Sequence, residues 1–262
     1  MDESTQRELA VHLALLRKEK RAQSGLEPRL VPPDKATAYR VAALVAEELG
    51  WKVGGWKIAA MKEAMQRALR TDQPIYGRVF APFIFESPAT FEHRKLLNPI
   101  PEVEYAARLG ADLPPRAKAY SEAEVAAAVA SLHPGLEIAE CRFMHDAAFP
   151  ALSAILADGA GSGSIVYGPA IPDWRSADIS GQEATLSVGG VVRRRGTARA
   201  ALEHPMQPLT WLANELSRTG IGLKAGEMIS TGTLTGMIAS AAGHDYLCDF
   251  GPLGQVRATF TK

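Results

Sequence analysis

Apolar residues recur at helical spacing in the first segment of the chain, with Leu9, Leu13 and Leu16 on one stripe, and again over 36–49. Two amphipathic helices are predicted there, joined by a loop at Val31-Pro32-Pro33. Asp34 offers its carboxylate to the free amides of the second helix's first turn, and Gly50 supplies a stop. Beyond Gly50 the period shortens. Short apolar runs at 53–59, 101–109, 134–140, 164–168, 184–194, 227–232, 245–249 and 255–261 predict strands, separated by glycine and proline. Helices are expected between them at 61–68, 122–131, 145–156 and 207–218. The pattern predicts a helical segment over 1–50 and a β-rich unit over 51–262, continuous with each other. The fold class is α+β, with curved or stacked sheets.

The chain's 262 residues, 47% of them hydrophobic, are enough for a substantial core. Lys+Arg and Asp+Glu stand at 29 each, so no net field favours nucleic acid or an anionic membrane, and a small molecule is the expected partner. Arg193, Arg194 and Arg195 follow the Gly189-Gly190 turn signal and read as a solvated hairpin arm. Two distant cysteines, Cys141 and Cys248, and a charged, helix-periodic start without a secretory pattern point to a reducing cytoplasm. No stretch approaches the ~20 apolar residues of a membrane span. The cluster Gly159-Ala160-Gly161-Ser162-Gly163 lacks the lysine of a nucleotide cradle and reads as close backbone packing or the edge of a site.

Three glutamates carry the chemistry. Glu102 and Glu104 lie two apart in PEVEYAARLG, and Glu137 lies in HPGLEIAECRF, each within an apolar run. Residues i and i+2 of a strand share a face, so the first pair either forms the wet side of an exposed strand or aims two carboxylates at one spot. A third carboxylate in an apolar strand favours the second arrangement, since burial demands a compensator and a hard divalent cation is the usual one. Lys57 alternates with apolar neighbours in Gly55-Trp56-Lys57-Ile58 and needs a partner, a path to solvent or a function. Arg142 either neutralises a substrate carboxylate or pairs with an acidic neighbour.

The segments GGWKIAAMKEAMQRALRTDQPIYGRVF, EVE before RLGADLP, GLEIAECRF, LEHPMQPLTWLANEL and KAGEMISTGTLTG with the closing FGPLGQVRATF together resemble the 2-oxopent-4-enoate hydratase and 4-oxalocrotonate decarboxylase group of the fumarylacetoacetate hydrolase superfamily. The resemblance covers nearly the whole chain. It implies mixed sheets rolled into a β-sandwich and a divalent metal, Mg2+ or Mn2+, held by Glu102, Glu104 and Glu137. It makes Lys57 catalytic, stabilising an enolate or carboxylate or moving a proton, and places Asp72 in the family's DxP turn near the chemistry. His204 would order a substrate loop, and Thr231 and Thr233 would orient a substrate carboxylate. The implied activity is that of a lyase: hydration of a 2-hydroxypenta-2,4-dienoate-type acid to a 4-hydroxy-2-oxo acid in aromatic catabolism. The resemblance further implies a homo-oligomer, with a complex with another pathway enzyme as a further option. Decarboxylation of a 2-oxo-3-enedioate competes on the same scaffold, as does a non-catalytic paralogue serving as a binding subunit. Hydrolysis of an acylpyruvate is disfavoured, because the hydrolase-type histidine near the metal strand is missing. Three places depart from the group's wording: Ala59-Ala60-Met61, Ile75 and Gly159-Ala160-Gly161. The first and third lack a polar side chain that many relatives carry, and Ile75 is closer to the decarboxylases.

Overall fold

The computed structural model describes Met1 to Lys262. Helix α1 (Glu3–Glu19) starts where the Asp2 carboxylate accepts from Thr5 N–H at 2.8 Å. Helix α2 (Lys35–Leu49) starts the same way, Asp34 accepting from Thr37 N–H at 2.7 Å, and stops at Gly50 with φ 64°. Both ends of α2 match the sequence expectation. Leu9, Leu13 and Leu16 pack with Val41, Val45 and Leu49, and the same core takes in Phe143, Ile75 and Leu156 from later in the chain. The first fifty residues therefore bury their apolar faces with the β-rich part rather than apart from it.

The strands form two sheets. One has seven strands in the order β2-β1-β10-β5-β6-β7-β3, and the other has five in the order β4-β12-β11-β8-β9. In chain order they are β1 (Val53–Ala59), β2 (Ile75–Phe80), β3 (Ile84–Glu86), β4 (Ala89–Glu92), β5 (Ile100–Leu109) and β6 (Val129–Ala139). There follow β7 (Ser164–Tyr167), β8 (Glu183–Val188), β9 (Val191–Thr197), β10 (Met228–Ser230), β11 (His244–Asp249) and β12 (Gln255–Thr261). Between them lie α3 (Glu63–Leu69), α4 (Glu122–Ala128), α5 (Leu152–Ala157), α6 (Ala198–Leu202) and α7 (Met206–Arg218). Val103, Tyr105, Leu136 and Ile138 of the large sheet and Leu186, Tyr246, Val256 and Phe260 of the small one belong to one core, so the sheets face each other. This is the stacked α+β arrangement that the alternation predicted.

The differences have local causes. Helix α4 ends at Ala128 rather than running to 131, because Val129 already joins the long β5–β6 ladder, where a β-branched side chain fits better than in a helix. The helix expected over 145–156 is confined to α5, since Pro150 pushes Phe149 out of helical geometry. The run 184–194 is two strands turning at Gly189-Gly190. Strands β2, β3 and β4 and helix α6 had no expectation: each is short and is defined by its neighbour in the sheet or bundle. No helix is long and apolar enough to cross a membrane.

Candidate metal centre and active-site cavity

Four adjacent strands of the large sheet supply the site. Lys57 projects from β1, Ser230 from β10, Glu102 and Glu104 from β5, and Glu137 from β6. Ladder register sets Lys57 beside Ser230 and Glu102 beside Glu137, and Glu104 shares the face of Glu102. Their sequence neighbours Trp56, Ile58, Val103, Tyr105, Leu136 and Ile138 point the other way, into the core between the sheets. Alternation thus separates a charged face from an apolar one within the same strands.

One oxygen from each of the three carboxylates lies within 4.8 Å of the others, and all three residues are buried. Lys57 Nζ stands 3.1 Å from Glu137 Oε1, both side chains enclosed. Glu104 Oε2 accepts from the Gly232 amide at 2.7 Å and from the Ser230 hydroxyl. Gly232 turns that amide inward at φ 103°, a backbone state that glycine adopts without strain. Neither oxygen of Glu137 has a hydrogen-bond partner, because the Lys57 ammonium is close but poorly aligned.

Three carboxylates against one ammonium leave two negative charges unmatched. Burial and then the charge of Glu137 push the Glu102 carboxyl up to about 7. Burial, followed by both neighbouring carboxylates, raises Glu104 well above the usual range. Burial also raises Glu137, with the Lys57 ammonium working against it. On Lys57 burial opposes the charge, but the attraction of Glu137, Glu102 and Glu104 outweighs it and holds the pKa above that of an ordinary lysine. A divalent cation taking oxygen ligands would match the two charges and occupy the orphaned oxygens of Glu137. The residues present fit such an ion.

A cavity of about 600 Å3 opens from this cluster, bordered by Lys57, Glu102 and Glu104. Its walls come from the 59–62 turn and α3, from parts of the 139–161 stretch, and from the 232–237 loop. Residues 61–261 match the family model described as Fumarylacetoacetate (FAA) hydrolase C-terminal. The chain belongs to the fumarylacetoacetate hydrolase family.

Among relatives, this family member is 33% identical over 214 residues to the 2-keto-4-pentenoate hydratase of Burkholderia vietnamiensis (strain G4 / LMG 22486), across 81% of this chain and 80% of that protein. It is 28% identical over 214 residues to the 4-oxalocrotonate decarboxylase of Pseudomonas putida, across 82% and 80%. Its fold superposes with a TM-score of 0.90 on the solved 4-oxalocrotonate decarboxylase from Pseudomonas putida G7, complexed with magnesium and adipate, at 24% identity over 99% and 98% of the two chains.

Not every residue singled out in the sequence reaches the site of this fumarylacetoacetate hydrolase family protein. Asp72, expected near the chemistry, sits on the exposed turn before β2, bound by Lys35, and does not line the cavity. Arg142, one option for a substrate carboxylate, takes the other: its Nε donates to Asp158 Oδ2 at 2.7 Å and its Nη1 to Ser162 O at 3.1 Å, both groups buried. His204 accepts from Met206 N–H at 3.2 Å, lies 4.0 Å from Glu122, and is also outside the cavity lining. Thr231 is buried with its hydroxyl on Tyr105 O, as a strand-end clasp, whereas Thr233 lines the cavity. Ser230, which grips Glu104, went unnoticed; a lone serine at the end of a three-residue strand carries no sequence signal. Asp158 went unnoticed as the partner of Arg142 because only the fold brings α5 back against it.

Proposed function

We propose that the protein is a divalent-metal-dependent hydro-lyase that adds one water to a 2-hydroxy-2,4-dienoic acid, yielding a 4-hydroxy-2-oxo acid. The observation that carries this reading is the buried trio Glu102, Glu104 and Glu137 with Lys57 beside it, of which Lys57, Glu102 and Glu104 line the cavity. The 33% identity to a named 2-keto-4-pentenoate hydratase supports the reaction type. The three glutamates would hold the ion, Mg2+ or Mn2+. When bound, such an ion supplies Lewis acidity to the adjacent carboxylate and oxo oxygens of a 2-oxo acid. Lys57, kept protonated by its acidic neighbours, holds negative charge on the substrate's head as the dienol becomes a ketone, and donates from Nζ. Ser230 and the Gly232 amide fix the orientation of Glu104 before any ligand arrives. Ala59, Leu202 and Leu234 make parts of the cavity wall apolar, so charges within it act at low dielectric. We place the reaction in aromatic catabolism, where ring cleavage yields acids of this kind.

A second reading, decarboxylation of a 2-oxo-3-enedioate, is favoured by the 28% relative and by Ile75, which lines the cavity. Both readings use the same anchor for the 2-oxo-acid head. The deciding assay supplies MgCl2 or MnCl2 and each acid in turn, follows loss of the conjugated chromophore, and identifies products by mass. Gain of one water is the expected outcome; loss of carbon dioxide from the enedioate would select the second reading. No metal-dependent turnover of either acid, with no heat on titration of the metal, would leave a non-catalytic protein.

A further inference from the structure

The cavity is in the size range of sites that take drug-sized ligands, well beyond what a five-carbon acid fills. Its buried and exposed linings differ in chemistry. Its buried lining includes Lys57, Glu102 and Glu104, with Glu137 next to them, while its exposed lining includes Met65, Phe149 and Met237. Nine large hydrophobic side chains are exposed over the whole molecule, and these three, 37%, 43% and 52% exposed, line this one cavity. Helix α3 buries none of its residues, yet Met65, Ala68 and Leu69 line the cavity. An apolar surface left open and continuous with a charged anchor matches a ligand with an acidic head and an apolar tail. Methionine suits such a wall because its flexible thioether adapts to tails of different shape.

A second carboxylate at the far end would find little to meet it. Arg142, the buried cation nearest in sequence to the trio, is taken by Asp158, and the basic lining residues Lys62, Arg70 and His145 are exposed to water. Desolvating a carboxylate against methionine and phenylalanine costs more than solvent-exposed basic groups at the rim return.

We propose that the substrate is a 2-oxo or 2-hydroxy-dienoic acid bearing an apolar substituent of several carbons at its distal end, seated against Met65, Phe149 and Met237. The proposal rests on the reading of the buried lining as a 2-oxo-acid anchor, and the test separates the two. Saturated 2-oxo acids from 2-oxobutanoate to 2-oxooctanoate are titrated calorimetrically into protein supplied with MgCl2 or MnCl2. The expected result is a Kd falling by up to about four-fold per added methylene. Met65→Ser and Met237→Ser together flatten that slope; both side chains are exposed, and circular dichroism verifies that the variant is folded. 2-Oxoadipate is expected to bind at least ~10-fold more weakly than 2-oxohexanoate. If 2-oxobutanoate binds only with metal but longer acids gain nothing, or if the diacid binds more tightly, the apolar-tail proposal falls and the anchor stands. If no acid of any length binds in the presence of metal, both fall.

Discussion

Glu137 is buried with an ion pair to Lys57 but no hydrogen bond on either oxygen, so at this residue the metal-free protein is furthest from satisfied. Glu137→Gln should abolish metal binding by calorimetry and lower kcat/KM by at least ~100-fold, the scale of a lost Lewis acid. Ser230→Ala frees Glu104 without removing a ligand, and should weaken metal affinity by ~10-fold. The glutamates were legible in the sequence because each sits in an apolar run, where alternation dictates its face. Asp72 and Arg142 were not legible: the partners that hold them, Lys35 and Asp158, come from other elements, and charge on a side chain says nothing about which neighbour the fold will bring.

Among the elements, the parallel pairing of β1 with β10 is what sets Lys57 beside Ser230, and it depends on close backbone approach at Gly55. A Cβ there would lie 1.8 Å from Met228 O. Gly55→Ala should therefore force the strands apart, lowering stability by ~1–3 kcal/mol in denaturant titration and reducing metal affinity with it. Helix α4 offers a pH test at the surface. Its N-cap Ser121 and Glu124 form a capping box, and Arg116 first, then the Ser121 amide, hold the Glu124 carboxyl down at about 2. A lowered carboxylate pKa stabilises the fold above the unfolded value of about 4.5 and loses that contribution as pH falls toward 2. Wild type should melt above Glu124→Gln at neutral pH, and the gap should close by about pH 2. Helices α1 and α2 were readable because their apolar spacing, and the caps of α2, are local signals. β2, β3 and β4 were not, because a strand of a few residues owes its existence to the strand it pairs with.

For the whole molecule, the two unmatched charges in a buried site make folding and metal binding one linked equilibrium. At about 100 times its Kd, Mg2+ or Mn2+ should stabilise the protein by about 2.7 kcal/mol. The melting temperature should rise by roughly 5–10 °C, with EDTA reversing the rise, when followed by scanning calorimetry. The sequence by itself determined the helical start with its caps, the strand-rich remainder, the family, and the three acids with Lys57, because each rests on periodicity or on a local run of residues. Only the tertiary structure decided that those four side chains meet. It also decided that Ser230 and Gly232 hold Glu104, that Arg142 is spent on Asp158, and that exposed methionines and a phenylalanine line the cavity. Each of these depends on strand register and on segments far apart in the chain, and register is fixed by packing between elements rather than within them.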